Sequence, residues 1–497
     1  MYLPRKSTIA PVALTLLAAL GVAFVAGLFS ALGGGHYAAA LVVVVVVLAA
    51  VIRDYRAGVV ALMIFYPLAG TTIVPREMFG ISGLNPMNMV LFGTLAACVM
   101  SRNRHDARQQ HAAMDSKILW MYVLPIVMAG CYGALHVGNI NSNFSEAQEL
   151  LGFDSPREYL MYYMIRPLFY VAYAWAVSIA VRESEEPEKF LWPFAISALI
   201  MCLVVLYGIA ITGASLAELA SPRARKTVGW TGLHNNDIGP MFAYALGILV
   251  FASARQRAGL KTFMLIVAAL CGIAALLSFS RNAFLGIAVV IAGYFFGGKV
   301  SWRLVGGVAF LLLSILFLPR EFVGRANTGV GSGSVLDANN DKLSAGRVAG
   351  VWIPALKDIA LSPVYGHGLE GTLWNKASYN DETGDAFEHP HNAYLRSLMD
   401  MGVVGAGLVW SFLFLLGKLA RRLAAETSLL RPTERSMANG AFWALVLLFV
   451  QGLTGGAFHP LVSQVFAWGA FGMLFGLRAR ATAAEWRQAA LVPPKGA

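Results

Sequence analysis

Charge is what this sequence has least of. Charged residues make up 13% of its 497 positions, where soluble domains carry about 25%. That shortfall, together with apolar runs that recur at membrane length, excludes a soluble globular enzyme and a disordered chain. Cysteine is scarce as well. The four present, Cys98, Cys131, Cys202 and Cys271, all fall inside apolar runs, none at metal or redox spacing, so they read as packing residues. There is no G-x-x-x-x-G-K-[ST] loop to cradle a nucleotide, and no internal repeat stands out. No small-residue cleavage site follows the first apolar run, so it reads as a span and not as a removed signal.

What remains is an all-α, polytopic membrane protein. Apolar runs near 8–32, 37–52, 57–74, 83–100, 117–137, 159–181, 190–213, 237–254, 261–279, 282–298, 301–318, 393–417, 437–455 and 461–477 give about 14 transmembrane helices. Twelve is the lower count, since the second run is short and the pair around Ser280-Arg281 can merge. The net charge of +11 points to no nucleic acid. Most basic residues sit in short clusters between spans, such as Arg53/Arg56, Arg102/Arg104/Arg108, Arg255/Arg257/Lys261 and Arg421/Arg422. These fall on one side if every run crosses, which makes that side cytoplasmic and places both termini there. In a bacterial inner membrane the other side is the periplasm.

The chain then divides into a bundle over 1–318, one large periplasmic loop over 319–392, a second helical part over 393–480 and a cytoplasmic tail over 481–497. A polar stretch as long as 319–392 between spans is usually functional or disordered. Here Ala345–Ala360 carries Val348, Trp352, Leu356 and Ile359 at helical spacing, with Arg347, Lys357 and Asp358 facing elsewhere. The pattern predicts an amphipathic helix on the outer membrane surface. Ser362-Pro363 ends it, and G-H-G at 366–368 makes a turn.

Basic residues on the outer face run against the insertion bias. Arg223, Arg225 and Lys226 precede T-G-L-H-N-N-D. Arg281 stands in F-S-R-N-A, where one span ends and the next begins, and Arg166 lies within an apolar span. Any one of them can snorkel to lipid phosphate. An ionisable group at membrane depth, as with Arg281 and Arg166, usually marks function. Several arginines on one face, Arg347 included, suit an anionic ligand, because guanidinium grips phosphate with two parallel hydrogen bonds. Among the histidines, most stand alone. His459, in A-F-H-P, falls in an outer loop. His389 and His391 form H-P-H-N before a span, held by Pro390. No third metal ligand falls at a recognisable spacing, and one histidine acting as general base is the simpler chemistry.

These residues resemble the O-antigen ligase and polymerase superfamily. The resemblance rests on T-G-L-H-N-N-D-I-G, S-F-S-R-N-A, S-A-G-R-V-A-G-V-W-I-P-A-L, P-V-Y-G-H-G and P-H-N-A-Y-L-R-S-L-M-D-M-G-V-V-G, in that order over roughly 220–420. It implies a metal-independent glycosyltransferase with no cofactor and no nucleotide. Such an enzyme moves a glycan from undecaprenyl pyrophosphate to lipid A-core sugar, or in polymerases to another lipid-linked repeat. The family's essential histidine falls on His391, its Ser-Arg motif on Arg281, and the basic residue before its G-L-x-N-N motif on Arg225, with Arg223 and Lys226 competing. Arg166 and Arg347 complete the candidate pyrophosphate set, while Asn392, Asn236 and His389 are candidates to orient or bind the acceptor. His389 has no counterpart in the family pattern. Of the two activities the ligase is the favoured expectation. A protein-directed oligosaccharyltransferase differs only in acceptor, and a transporter of an anionic or lipid-linked substrate is the rival from another class.

Overall fold

In the computed structural model the described residues are 36–75, 77–78, 81–83, 85–102, 116–140, 153, 155–213, 215, 218–219, 231–296, 348–375 and 389–491. The expected spans at 8–32 and 301–318 lie outside them. The described residues form a helical bundle with one two-residue antiparallel ladder, Glu77–Met78 (β1) against Ile81–Ser82 (β2). The helices are α1 (His36–Arg53), α2 (Tyr55–Phe65), α3 (Pro86–Arg102), α4 (Ser116–Ala134), α5 (Pro156–Glu183), α6 (Leu191–Thr212) and α7 (Asn235–Ala252). They continue as α8 (Ala258–Leu277), α9 (Arg281–Phe296), α10 (Ile353–Leu361), α11 (Ala393–Ala425), α12 (Pro432–Gln451) and α13 (Val465–Leu491). Five helical stretches are long and apolar enough to cross a membrane: Pro156–Glu183, Pro187–Thr212, Asn235–Arg255, Ala258–Leu277 and Ala393–Ala425. Shorter apolar helices lie at α1, α2, α3, α4 and α9. The protein is a multi-pass helical membrane protein.

The breaks between helices follow local chemistry. Asp54 caps α2 by accepting from the Arg56 N–H at 2.9 Å. Between α8 and α9 the backbone turns at Phe279, whose φ is 48°, and the Ser278 hydroxyl accepts from the Ser280 N–H at 3.2 Å. The Ser280-Arg281 break therefore separates two helices. α7 is the bundle's centre. Of its apolar window 78% is buried, against 39% for α8 and α11, and it packs on α8, α9 and α12. α13 packs along α5. A Cβ at Gly472 would meet the Ala174 carbonyl oxygen at 2.5 Å, so glycine there permits the close approach usual between membrane helices. The Cys202 and Cys271 sulfurs face each other at 3.5 Å, free and buried, as packing residues between α6 and α8.

The amphipathic helix forms, with Val348, Trp352 and Ile359 of its apolar set half-buried. A wider turn over Val348–Trp352 leads into α10. The side chains it buries are Val351, Ala355 and Asp358, while Leu356 is exposed. Ala355 lets α10 approach Met399 of α11 closely. Asp358, expected to face away, is drawn inward on that side, and its carbonyl accepts from His367 Nε2 at 2.8 Å. α10 does end at Ser362, and the turn at 366–368 is present, with Gly366 at φ 72° and Gly368 at φ 90°. α13 runs on to Leu491, past the expected span end at 477.

Candidate functional site

The site is built around the first turns of α11. Asn392 caps that helix, its Oδ1 accepting from the N–H groups of Tyr394 at 2.9 Å and Leu395 at 3.1 Å. The residue before it, His391, has φ 52°, a left-handed conformation that costs energy and persists only where the surroundings impose it. Here they do. On one side the Pro390 carbonyl accepts from Trp352 Nε1 at 2.9 Å, which ties the loop to the turn before α10. On the other, the Ala393 N–H donates to the Gly452 carbonyl at 2.7 Å, and Asn392 Nδ2 to Leu453 O at 3.4 Å. His391 is thus pinned between two walls, with the His389 ring 4.4 Å from its own, centroid to centroid.

The second wall, residues 452–460 after α12, carries His459. Its backbone is fixed by Tyr122 Oη donating to the Phe458 carbonyl at 2.5 Å and by Gln464 Nε2 donating to Ala457 O at 2.6 Å. The Phe458 ring meets Tyr394 edge-on at 4.8 Å. His459 itself is buried. Burial first, then the nearby Arg396 and His389, pushes its imidazole well below the usual range, so it is neutral at neutral pH. A histidine depressed in the folded state binds its proton more readily when unfolded. Stability is therefore full above the ordinary value of about 6.5 and falls as pH drops below it, by at most about 1.4 kcal/mol per pH unit. Melting of the solubilised protein between about pH 7.5 and 5.5 should show this loss, and His459→Gln should reduce it. An identical slope in the variant would assign the loss to other groups.

Beneath this layer lies a buried ionic clasp. Arg396 of α11 pairs with Glu370, and its Nε stands 3.8 Å from Asp400 one turn on. All three are buried. Asp400 Oδ1 also accepts from the Gly371 N–H at 3.2 Å. The clasp belongs to a larger seam in which the turn after α10 docks on α11. The N–H groups of His367 and Gly368 donate to Met399 O at 2.7 Å and Asp400 O at 2.9 Å, and the Val403 N–H donates to Pro363 O at 2.8 Å. Leu369 is held from the other flank, its N–H donating to Ala129 O at 3.1 Å and its carbonyl accepting from Tyr159 Oη at 2.5 Å. α11 makes room by kinking at Gly402, φ 61°, where any Cβ would strike the Val364 backbone. Asp237, in the first turn of α7, lies within the electrostatic reach of Arg396.

The residues nominated from sequence distribute unevenly over this frame. His389, His391 and Asn392 are brought together. Arg281 opens α9 and is half-buried. Its neighbour Asn282 accepts through its carbonyl from Gln451 Nε2 at 3.3 Å, which ties the Arg281 end of α9 to the root of the loop that holds Asn392. Arg166 stands within α5, directly after the wide turn over Leu160–Ile165, its guanidinium 5.4 Å from the Tyr162 ring centroid. It shares Tyr170 as a neighbour with Asp237. Asn236 is exposed, its N–H donating to His234 Nδ1 at 3.1 Å. Arg223, Arg225, Lys226 and Arg347 lie outside the described residues. Arg396, Glu370, Asp400 and Asp237 were not singled out from sequence. Arg396 and Asp400 did carry a signal, two opposite charges four apart at the mouth of an apolar run. Glu370, isolated in sequence, carried none.

A membrane-embedded helical bundle with a polar, histidine-bearing site at one end of its helices defines a class of protein. Within that class, residues 264–410 match the O-antigen ligase family, a stretch running from α8 to the middle of α11 that takes in Arg281, His391 and the whole clasp. No curated protein matches the chain. The chain resembles the O-antigen ligase superfamily, whose members are glycosyltransferase-like enzymes acting on lipid-linked glycans and lipid acceptors.

Proposed function

We propose that this protein is an O-antigen ligase-type glycosyltransferase of the bacterial inner membrane. It moves a glycan from undecaprenyl pyrophosphate to a hydroxyl of the lipid A-core at the periplasmic face. The observation that carries this reading is His391. It is held in a left-handed backbone between Trp352 and the Gly452–Leu453 turn, inside the stretch that matches the family. In the reaction His391 takes the proton of the acceptor hydroxyl, whose oxygen attacks the anomeric carbon. The bond from that carbon to the pyrophosphate oxygen breaks, and the lipid pyrophosphate departs with the electron pair. Attack opposite the leaving group inverts the anomeric centre. A neutral imidazole suits the proton transfer, and fixed cations suit the growing charge on pyrophosphate. Arg281 is the first of these cations, with Arg225, Arg166 and Arg347 in support, Arg223 and Lys226 beside Arg225, and no metal ion required. Asn392 positions His391 through the cap, and His389 and Asn236 face the acceptor.

The accompanying topology has about 14 spans, 319–392 as the periplasmic loop between the helical parts 1–318 and 393–480, and both termini, including the 481–497 tail, in the cytoplasm. A reporter fused at Asn339 should behave as periplasmic, and cytoplasmic behaviour would invert the site's assignment. For Arg281, a lysine keeps the charge but not the bidentate fork. Arg281→Ala should lower transfer by about 10²–10³-fold, and Arg281→Lys should recover little of it. Near-normal transfer by a correctly inserted Arg281→Ala would reduce the residue to a lipid anchor. Ligase and polymerase separate in a deletion strain's lipopolysaccharide profile. Bare core with lipid-linked polymer is expected here, whereas core bearing a single repeat would assign polymerisation.

A further inference from the structure

The helix α10 and the turn after it present an apolar edge that the site does not use. Leu361 and Tyr365 are each 77% exposed, and Leu356 and Val364 are about half exposed. Leu361, Val364 and Tyr365 are large apolar groups within five residues, which is more than scattered surface residues need. The opposite face of the same segment is committed to protein, through Ala355 on Met399 and through His367 and Gly368 on the Met399 and Asp400 carbonyls. The exposed edge therefore points away from the bundle.

Its height is fixed by the neighbouring helix. The Val403 N–H donates to Pro363 O at 2.8 Å, and the Val404 N–H to Val364 O at 3.4 Å. Val403 and Val404 are themselves exposed, and from Gly402 to Gly417 α11 carries no charged residue. From Val403 to the Arg421-Arg422 pair a helix rises about 27 Å, close to the roughly 30 Å of a hydrocarbon core. Val403 thus marks where α11 enters lipid, and the turn at 361–365 lies at that level and is continuous with α11's lipid-facing side.

We infer that Leu361, Val364 and Tyr365 form a keel inserted into the leaflet on the His391 side, with Tyr365 at the interface where its ring is amphipathic. The occupant of this edge is the lipid itself. The inference stands independently of the proposed reaction. It predicts that the keel holds the α10 turn at a fixed depth and thereby fixes the distance of His391 from lipid head groups.

The test uses the full chain in lipid nanodiscs, with Cys131→Ala removing the exposed thiol and single spin labels placed at Leu361→Cys, Tyr365→Cys, Lys357→Cys and Phe414→Cys. Lys357 is the aqueous reference, and Phe414, exposed on the spanning part of α11, the lipid reference. Labels at 361 and 365 should relax with oxygen, as at 414, and lose the response to a water-soluble nickel chelate that the label at 357 retains. Relaxation by the nickel chelate at 361 and 365 would place the edge in water and overturn the inference. Immobile labels reached by neither reagent would also overturn it, by showing that protein covers the edge.

Discussion

His391→Ala should fold, insert and bind the lipid-linked donor as the parent protein does, yet lose glycan transfer by about 10²–10⁴-fold. The retention of fold follows from the geometry. Removing the imidazole leaves the cap intact, because Asn392 still accepts from Tyr394 and Leu395, and the two walls grip the backbone of Pro390 and Ala393. Alanine must adopt the φ near 52° that His391 already bears, a strain of order 1 kcal/mol in both, so a melting temperature close to the parent's is expected. His391→Gly relieves that strain, and comparing the two variants separates backbone from chemistry. The loss of transfer follows from what the ring supplies. A sugar hydroxyl is a weak nucleophile at neutral pH, and a base within hydrogen-bonding reach lowers its barrier. His389→Ala should cost less. Transfer assayed at matched protein levels, beside separate donor binding, decides the matter. Full activity in His391→Ala would remove it from the mechanism, and loss confined to His389→Ala would move the base to the other ring.

Arg396→Met should be among the most destabilising single substitutions in the chain. It leaves Glu370 and Asp400 buried without their cation, and breaking a buried pair from one side costs about 3–5 kcal/mol. The damage should spread along the seam, since Glu370 sits in the turn that the Leu369, Gly368 and His367 backbone bonds join to α4 and α11. A lower melting temperature and faster proteolysis between residues 361 and 392 are the expected readouts. A triple variant separates charge from shape. Arg396→Met combined with Glu370→Gln and Asp400→Asn removes the orphaned charges, while the side-chain amide oxygen introduced at position 400 can still accept from the Gly371 N–H. This variant should recover much of the lost stability. If it is as unstable as the single one, the clasp acts through shape and not through charge.

The sequence made the helical class legible because membrane helices must satisfy their own backbone and shed charge, which leaves a pattern on every span. The break at Ser280-Arg281, the end of α10 at Ser362 and the turn at 366–368 were legible through small and turn-forming residues. The inward turn of Asp358 was not. Helical spacing sets it off the apolar face, but the small Ala355 lets that side of α10 pack on Met399, and Asp358 is buried there too. At the site, the H-P-H-N motif and Arg281 were visible as polar groups in unusual places. The clasp was not, because Glu370 finds Arg396 only through a turn that no local spacing encodes. His459 was visible as an outer-loop histidine, but its burial depends on the loop after α12 folding back over α11.

The most direct test of the account is a single-turnover transfer assay. Purified full-length protein is reconstituted in vesicles with an undecaprenyl-pyrophosphate-linked glycan and a lipid A-core acceptor, in the presence of a divalent-metal chelator. The account predicts that the glycan appears on the core acceptor as free lipid pyrophosphate is released in equal amount. It also predicts that His391→Ala abolishes both products while still binding donor. Donor that crosses the bilayer with its glycan attached, with no core product formed, would contradict the account and mark the protein as a transporter.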